Sequence, residues 1–236
     1  MLMQRKFLSI IVAIGLILLG FVYCRVMDVN RARTAPAGID VPNVARQAVV
    51  SVWSSLDGKL INQGSGFIIS KTGLIITTRH VLAEGNSLLI KFDKDVSQDE
   101  YPATVIASDA DNDLALLQIK ARGFRVLPLL IGKAAQGHRV WAMGFPSSRG
   151  LDATRMTVTS GIVSRVNPGE NGAPLIIQTD AYLTHGSSGG PLYDLDAAGV
   201  IGVCGWSQHD EEDKPLPGIN YAISIEKVLE LFGEYL

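Results

Sequence analysis

The stretch THGSSGGP, residues 184–191, decides how the chain should be interpreted. Five of its eight residues are Gly or Ser, which are the residues of flexible linkers, so composition alone favours a linker. The same residues also surround Ser188 in a Gly-x-Ser-x-Gly pattern, in which small neighbours can leave a serine hydroxyl open to attack a substrate. The rest of the chain decides between these two interpretations.

Around this stretch the chain consists of short apolar runs separated by turn residues. From Val49 onward, about a dozen runs of five to ten residues are rich in Val, Ile and aromatic residues and are bounded by Gly, Pro, Asp or Ser. This pattern is typical of β-strands. We predict an all-β fold of antiparallel sheets closed into two small barrels, since closure removes exposed strand edges. The last stretch, SIEKVLELFGEYL at 224–236, has apolar residues at helical spacing and predicts a C-terminal helix.

Two arrangements could place a nucleophilic serine in a glycine-rich stretch, and they differ in what surrounds the serine. In an α/β-hydrolase a helix begins directly after it, and the catalytic histidine comes later in the chain. Here Gly189, Gly190 and Pro191 follow, which make a poor helix interior, and only His209 lies downstream. The alternative is the His–Asp–Ser order of the chymotrypsin type, which requires a histidine and an aspartate upstream.

Both upstream residues are present at the ends of predicted strands. His80 follows the apolar run at 74–78, and Asp113 directly precedes the run at 114–119. In this hypothesis His80 is the general base that takes the proton of the Ser188 hydroxyl. Asp113 orients the imidazole and stabilises its cationic form. The predicted catalytic residues are therefore His80, Asp113 and Ser188.

The glycines beside Ser188 have a role in the same hypothesis. Without side chains in the way, backbone N–H groups of the loop can converge on the oxyanion that forms during acyl transfer. We expect the amides of Gly186 and Ser188 to be the donors, with Ser187 between them as part of the same oxyanion loop.

Several stretches occur in an order that is typical of one protein family. They are GSGFIIS, LIITTRHVL, DNDLALLQI, VWAMGFP, VTSGIVS, IIQTDA, GSSGGPL and GINYAIS. Over roughly residues 49–232 the chain resembles the HtrA (Deg) family of trypsin-like serine proteases. The resemblance implies a chymotrypsin-like fold of two six-stranded β-barrels with His80, Asp113 and Ser188 as the triad. It also implies cleavage of unfolded, damaged or regulatory proteins, assembly as a homotrimer, and no metal or organic cofactor.

The resemblance further indicates where a substrate would bind. Tyr182, six positions before Ser188, corresponds to the floor of the primary pocket, so no buried carboxylate is offered to a Lys or Arg side chain. We expect cleavage after small or medium apolar residues instead. The stretch VCGW, residues 203–206, would be the strand that lines the pocket and pairs with the substrate backbone. The other expected substrate-binding residues are Leu183, His185, Val203, Cys204 and Gly205.

Two features depart from the usual pattern of the family. Ser187 stands where most members have Asn before the nucleophile, a small polar exchange that should leave the oxyanion loop intact. Most members also carry C-terminal PDZ domains. This chain ends near the expected end of the protease domain, so we expect no PDZ domain in it.

The first 24 residues differ in composition from the rest. Arg5 and Lys6 precede eighteen uncharged residues, 7–24, which as a helix would be about 27 Å long, close to the roughly 30 Å hydrocarbon core of a bilayer. A cleaved signal peptide is the alternative. It would need small residues before the cleavage site, and FVY occupies 21–23 instead. We therefore predict an uncleaved single-pass membrane anchor.

These patterns predict a division of the chain into three parts. The membrane anchor, or a signal sequence, occupies residues 1–24, a linker occupies 25–45, and a trypsin-like protease domain occupies 46–236. We expect the protease domain to lie outside the cytoplasm, in the periplasm or another extracytoplasmic space.

Charge argues against some classes of partner. Two of the 21 Lys and Arg residues, and none of the 23 Asp and Glu, precede the apolar segment, which leaves a net charge of about −4 beyond it. A net negative charge argues against nucleic acid as a partner. Asp109, Asp111 and Asp113 have the spacing that begins a calcium loop, but Leu114 replaces the required glycine. The sequence therefore predicts no metal site.

A hypothesis from another functional class is a catalytically inactive protein that keeps the barrels and binds unfolded polypeptides as a scaffold. The presence of all three triad residues disfavours this hypothesis.

Overall fold

The apolar runs form strands that close into two barrels. The computed structural model describes residues 41–147, 152–169, 174–212 and 214–236, and Pro42–Leu236 belongs to one compact unit. Each barrel has six strands, and the paired strands of both barrels run antiparallel. The predicted all-β fold of two six-stranded barrels is confirmed.

The first barrel contains the predicted histidine and aspartate. Its strands are β1 (Val49–Leu56), β2 (Lys59–Ile68), β3 (Leu74–Thr78), β4 (Ser87–Lys91), β5 (Glu100–Asp109) and β6 (Leu114–Ile119). They pair in the order β1-β2-β3-β6-β5-β4, and β4 returns to β1 to close the sheet.

The second barrel contains the predicted serine, which lies in the loop before β10. Its strands are β7 (Arg139–Gly144), β8 (Thr157–Pro168), β9 (Pro174–Thr179), β10 (Pro191–Asp194), β11 (Gly199–His209) and β12 (Pro215–Ser224). They pair in the order β10-β11-β12-β9-β8-β7, and β7 closes on β10.

Each barrel is filled by its own apolar core. The side chains of a strand alternate between its two faces, so the inward positions of all six strands meet at the centre. Aliphatic side chains dominate both cores. In the first barrel they include Val50, Val52, Ile68, Ile75, Leu117 and Ile119, and in the second Val140, Val163, Ile177, Leu192 and Ile201.

Among the residues described, three α-helices accompany the strands, α1 (Val41–Arg46), α2 (Arg79–Leu82) and α3 (Ile225–Phe232), and a short 3₁₀ helix (Gly233–Tyr235) follows α3. The predicted C-terminal helix is confirmed as α3. The Ser224 hydroxyl caps it by accepting from the backbone N–H of Lys227, and Ile225, Val228 and Phe232 are its buried residues. The helix α1 begins within the stretch predicted as a linker.

The predicted membrane anchor, residues 1–24, lies outside the described residues. Within the described ranges, no helix is both long enough and apolar enough to cross a membrane.

Candidate active site

His80 and Asp113 lie together because their strands are neighbours in the first barrel. Thr78, two residues before His80, pairs with Leu114, which directly follows Asp113. This pairing of β3 with β6 brings the two predicted residues into contact although 33 positions separate them in the chain.

Asp113 binds His80 at two points. Its Oδ1 accepts from the backbone N–H of His80 at 2.8 Å, and its Oδ2 lies 2.6 Å from the ring Nδ1 of His80. An ionised carboxylate can only accept hydrogen bonds, so this contact favours the ring tautomer that is protonated at Nδ1. Nε2 then keeps its lone pair and can accept a proton.

The backbone of Asp113 adopts a left-handed conformation with φ of 52°. Aspartate tolerates this region better than most residues, but the conformation still costs about 1–3 kcal/mol, which surrounding contacts must offset. The holding contacts come from α2. The Arg79 amide donates to the Asp113 carbonyl at 3.0 Å, and the His80 amide donates to its carboxylate.

Ser188 and His80 line the same cleft, which has a volume of about 330 Å³. The remaining lining residues of this cleft are Tyr182, Leu183, Thr184, His185, Gly205, Trp206, Ser207, His209 and Pro215. The Ser188 hydroxyl donates to the carbonyl of Gly205 at 2.9 Å. In the described part of the chain, no hydrogen bond joins the Ser188 hydroxyl to His80.

In the loop before β10, the carbonyls of residues 185–188 all accept hydrogen bonds, and three of the four donors lie outside the loop. The His185 carbonyl accepts from the Ser147 amide at 2.9 Å, and the Gly186 carbonyl accepts from the Ser65 hydroxyl at 2.5 Å. The Ser188 carbonyl accepts from the Ser65 amide at 2.8 Å. The Ser187 carbonyl accepts from Gly190 within the loop at 3.1 Å. This stretch is therefore an anchored loop and not a flexible linker.

The amides of Gly186 and Ser188 have no hydrogen-bond acceptor among the described residues. The amide between them, that of Ser187, donates to the Thr184 carbonyl at 2.9 Å. In a planar trans peptide the N–H points away from the preceding carbonyl. Because the carbonyls of His185 and Ser187 are bonded, the N–H directions of Gly186 and Ser188 are also set.

Any residue other than glycine at position 186 would force the loop to change its conformation. Its φ is +89°, and a Cβ at this position would lie 2.3 Å from the Phe145 carbonyl oxygen and 2.7 Å from the Ser147 amide nitrogen. Both are backbone atoms that cannot rotate away. The glycine therefore allows the loop to lie directly against the segment after β7.

The structure divides the six predicted substrate-binding residues into two groups. Four line the cleft: Tyr182, Leu183, His185 and Gly205. Tyr182 is 57% exposed, so it is not an enclosed pocket floor. Val203 and Cys204 are fully buried and do not line the cleft.

Val203 and Cys204 instead support the loop through the backbone of β11; the Cys204 side chain lies in the second core, and the Val203 side chain is also buried. Val203 pairs with Pro191 across β10 and β11. The Cys204 amide donates to the Gly190 carbonyl at 2.8 Å, and its carbonyl accepts from the Gly189 amide at 2.7 Å. Both backbone groups of Cys204 are thus occupied by the loop and are not available to a substrate strand.

Burial has a chemical consequence for Cys204. The thiol is inside the second core, and loss of solvation raises its pKa to about 12. A neutral, buried thiol of this kind is not a nucleophile.

Trp206, the last residue of the predicted pocket strand 203–206, lines the cleft, and its ring packs on Tyr221 with 5.4 Å between the ring centroids. Sequence analysis missed Ser207, which lines the cleft directly after Trp206. Ser65 was also missed, and no local signal in the sequence marks it, since its partners lie 80 and 121 positions away.

A second histidine–aspartate pair lies elsewhere. His138 Nδ1 is 2.7 Å from Oδ2 of the fully buried Asp194, whose other oxygen accepts from the amides of Asp196 and Ala197. Neither residue lines the cleft that contains Ser188. The pair therefore belongs to the packing of the turn after β10.

Comparison with known proteins adds a family to this geometry. The trypsin-like peptidase domain family matches residues 64–203. The chain is also 37% identical over 177 residues to a probable periplasmic serine endoprotease DegP-like protein of Hahella chejuensis, and 36% identical over 180 residues to serine protease HTRA1 of Xenopus laevis.

These alignments cover 72% of this chain but only 35% of the first relative and 36% of the second. The chain therefore spans about a third of the length of these curated relatives.

Solved structures give a similar result. The serine endoprotease from Yersinia pestis superimposes with a TM-score of 0.66 and 28% identity, covering 84% of this chain and 66% of the other. The HtrA-type protease AlgW with tripeptide superimposes with a TM-score of 0.68 and 27% identity, covering 81% and 61%. With the family match over residues 64–203, these similarities show that the chain belongs to the trypsin-like peptidase domain family, with HtrA- and DegP-type serine proteases among its relatives.

Proposed function

We propose that the protein is a serine endopeptidase that hydrolyses peptide bonds through an acyl-enzyme, with Ser188 as nucleophile, His80 as general base and Asp113 as the residue that orients His80. The observation that carries the proposal is the contact of 2.6 Å between His80 Nδ1 and Asp113 Oδ2 at the wall of the cleft that Ser188 also lines. A histidine held in this way presents Nε2 to the substrate side.

In the first half of the reaction the Ser188 oxygen attacks the carbonyl carbon of the scissile bond. Its proton passes to His80 Nε2, which then donates it to the leaving amine as the C–N bond breaks. The ester of Ser188 remains. Water attacks this ester in the second half, again with His80 as base, and releases the carboxylic acid and the free serine.

Ser188 must first leave its present hydrogen bond. Its hydroxyl donates to the Gly205 carbonyl at 2.9 Å, and rotation about the Cα–Cβ bond redirects it without movement of the backbone. The developing oxyanion is stabilised by the amides of Gly186 and Ser188, which have no other acceptor among the described residues.

The substrates that we propose are extended or unfolded polypeptide segments. A cleft of about 330 Å³ accepts only a few side chains, so a scissile bond must be presented on a flexible chain in order to reach Ser188. The similarity to HtrA- and DegP-type proteases supports a role in the removal of damaged or regulatory proteins.

The location and assembly of the protein form a further part of the proposal. We assign residues 1–24 to a membrane anchor, 25–45 to a linker and 46–236 to a protease domain outside the cytoplasm that assembles as a homotrimer. The uncharged run at 7–24 supports the anchor. The DegP-like relative is named as periplasmic, which supports the extracytoplasmic location.

The test compares the full-length protein in detergent with its Ser188→Ala variant on unfolded casein. We expect cleavage and fluorophosphonate labelling by the wild type and neither by the variant. Ser108→Ala is the matched control, since Ser108 is exposed on β5 of the first barrel, and it should behave as the wild type.

If the wild type and Ser188→Ala both fail to cleave casein but both bind it, the endopeptidase proposal is wrong and the inactive scaffold is correct. Labelling by a membrane-impermeant fluorophosphonate in intact cells tests the location, because an extracytoplasmic Ser188 reacts without lysis. Crosslinking in native membranes reports the number of subunits.

A further inference from the structure

Ser65 connects the two barrels at the loop that carries Ser188. It lies in β2 of the first barrel and is fully buried. Its hydroxyl donates to the Gly186 carbonyl at 2.5 Å and accepts from the Phe145 amide at 2.8 Å. Its backbone N–H donates to the Ser188 carbonyl at 2.8 Å. One residue of the first barrel thus binds both ends of the Gly186–Ser188 segment.

The position of the Ser65 hydroxyl is itself fixed. The Ser65 carbonyl accepts from the Thr77 hydroxyl at 2.6 Å, which ties β2 to β3 at this point. On the other side, a Cβ added to Gly144 would lie 2.6 Å from Ser65 Oγ and 3.1 Å from the Ser187 Cα. The hydroxyl therefore occupies a closed space between β2, the end of β7 and the loop.

The peptide between Gly186 and Ser187 lies between the two amides that we assign to the oxyanion. Its carbonyl is bonded to Ser65, and its N–H, that of Ser187, donates to Thr184. A change in ψ of Gly186 that is not offset by an opposite change in φ of Ser187 would turn this carbonyl and move the Gly186 and Ser188 amides relative to each other. The Ser65 hydroxyl opposes this rotation because it holds the carbonyl.

We propose that Ser65 is a positioning residue for the reaction: its hydroxyl sets the angle between the two oxyanion donors without contacting the substrate. This inference rests on the proposed endopeptidase function. It assigns a role to a side chain of the first barrel other than His80 and Asp113.

Removal of the hydroxyl leaves the Gly186 carbonyl and the Phe145 amide without this partner in a buried place. A buried donor or acceptor without a hydrogen-bond partner destabilises the fold, so we expect the loop to change conformation until these groups are bonded again. Donors that no longer converge stabilise the transition state less, but they do not weaken binding of the ground-state substrate. We therefore expect the change in kcat and not in KM.

The experiment measures kcat and KM on a peptide substrate for the wild type, Ser65→Ala and Thr179→Val. We expect Ser65→Ala to lower kcat by roughly 10- to 100-fold with KM within about twofold, somewhat less than the loss of a whole oxyanion donor. A wild-type kcat in Ser65→Ala would overturn the proposal.

Thr179→Val is the matched control. Thr179 is fully buried in the second barrel, and its hydroxyl also donates to a carbonyl, that of Ile162, and accepts from an amide, that of Ala181. The melting temperature of Thr179→Val should fall by about as much as that of Ser65→Ala, but Thr179→Val should keep the wild-type kcat. If both variants lose kcat equally, the effect is one of general packing and the proposal is wrong.

A second variant approaches the same hydroxyl from the opposite side. Gly144→Ala places a methyl group 2.6 Å from Ser65 Oγ and 3.1 Å from the Ser187 Cα, so it displaces the hydroxyl from the loop while Ser65 itself is kept. It should reproduce the fall in kcat with an unchanged KM. A wild-type kcat in Gly144→Ala would contradict the role of the Ser65 hydroxyl.

A crystal structure of Ser65→Ala separates this proposal from the proposed function. If the wild type proves inactive toward casein, the function fails. The positioning role is then judged by whether the Gly186 carbonyl turns away from position 65 in the variant. A loop unchanged from that of the wild type would overturn it.

Discussion

The Ser188 hydroxyl donates to the Gly205 carbonyl at 2.9 Å, on β11 of the same barrel. A neutral hydrogen bond of this kind contributes about 0.5–1.5 kcal/mol net, because water or another partner can replace it. Exchange of this bond for one to His80 therefore costs little free energy. Enzymes lower the activation free energy of their reactions by about 8 kcal/mol or more, which is much larger. The resting direction of the hydroxyl is compatible with the proposed mechanism.

Asp113→Asn should lower kcat by about 10⁴-fold with little change in fold. An amide at this position can donate to His80 Nδ1 and so favours the wrong tautomer, with the proton on Nε2. Steady-state kinetics on a peptide substrate measure the effect. Asp111→Asn, an exposed change of the same charge two residues earlier, should retain the wild-type kcat. A loss below tenfold in Asp113→Asn would contradict the orienting role.

Gly186→Ala should abolish activity. The new methyl group meets the Phe145 carbonyl at 2.3 Å, in addition to the left-handed backbone strain of about 1–2 kcal/mol. Gly123→Ala is the matched control, since Gly123 has φ of +88° but open space where a Cβ would lie. It should cost about 1 kcal/mol of unfolding free energy and leave kcat unchanged. Equal kinetic effects in the two variants would show that backbone strain, and not the clash, matters.

Cys204 should resist alkylation in the folded protein at pH 8.5. Its pKa of about 12 leaves almost no thiolate at that pH, and burial blocks the reagent. Peptide mapping after treatment with iodoacetamide identifies the labelled cysteine. Unfolding in guanidinium returns the pKa to its ordinary range and should restore labelling. Labelling of Cys204 at the same rate before and after unfolding would contradict its burial in the second core.

Cleavage should follow small or medium apolar residues and not Lys or Arg. The described residues that line the cleft include no Asp or Glu. They do include the apolar or aromatic side chains of Leu183, Tyr182 and Trp206. A peptide library analysed by mass spectrometry tests this. Tyr182→Asp should introduce measurable cleavage after basic residues, because it adds a carboxylate to the wall. Efficient cleavage after Arg by the wild type would show that another acidic group reaches the site.

Local sequence was sufficient to predict the barrels and the three candidate catalytic residues. Apolar runs such as LIITT and LALLQI must be strands because their β-branched and aliphatic side chains pack on a pleated surface. His80 and Asp113 were identifiable because each lies at the end of such a run. Their contact follows from one register, that of Thr78 with Leu114.

Only the tertiary structure decided which residues hold the candidate site in shape. Ser65 is separated by 121 positions from its partner Gly186, and nothing in the GSGF stretch indicates the hydroxyl's contact. The sequence predicts that Val203 and Cys204 line the pocket, yet both are fully buried, and the Cys204 side chain lies in the core of the second barrel. Whether a segment forms a strand depends on residues that are close to it in the chain. Contacts between the barrels depend instead on how two separately closed sheets pack against each other, and no local sequence pattern encodes that packing.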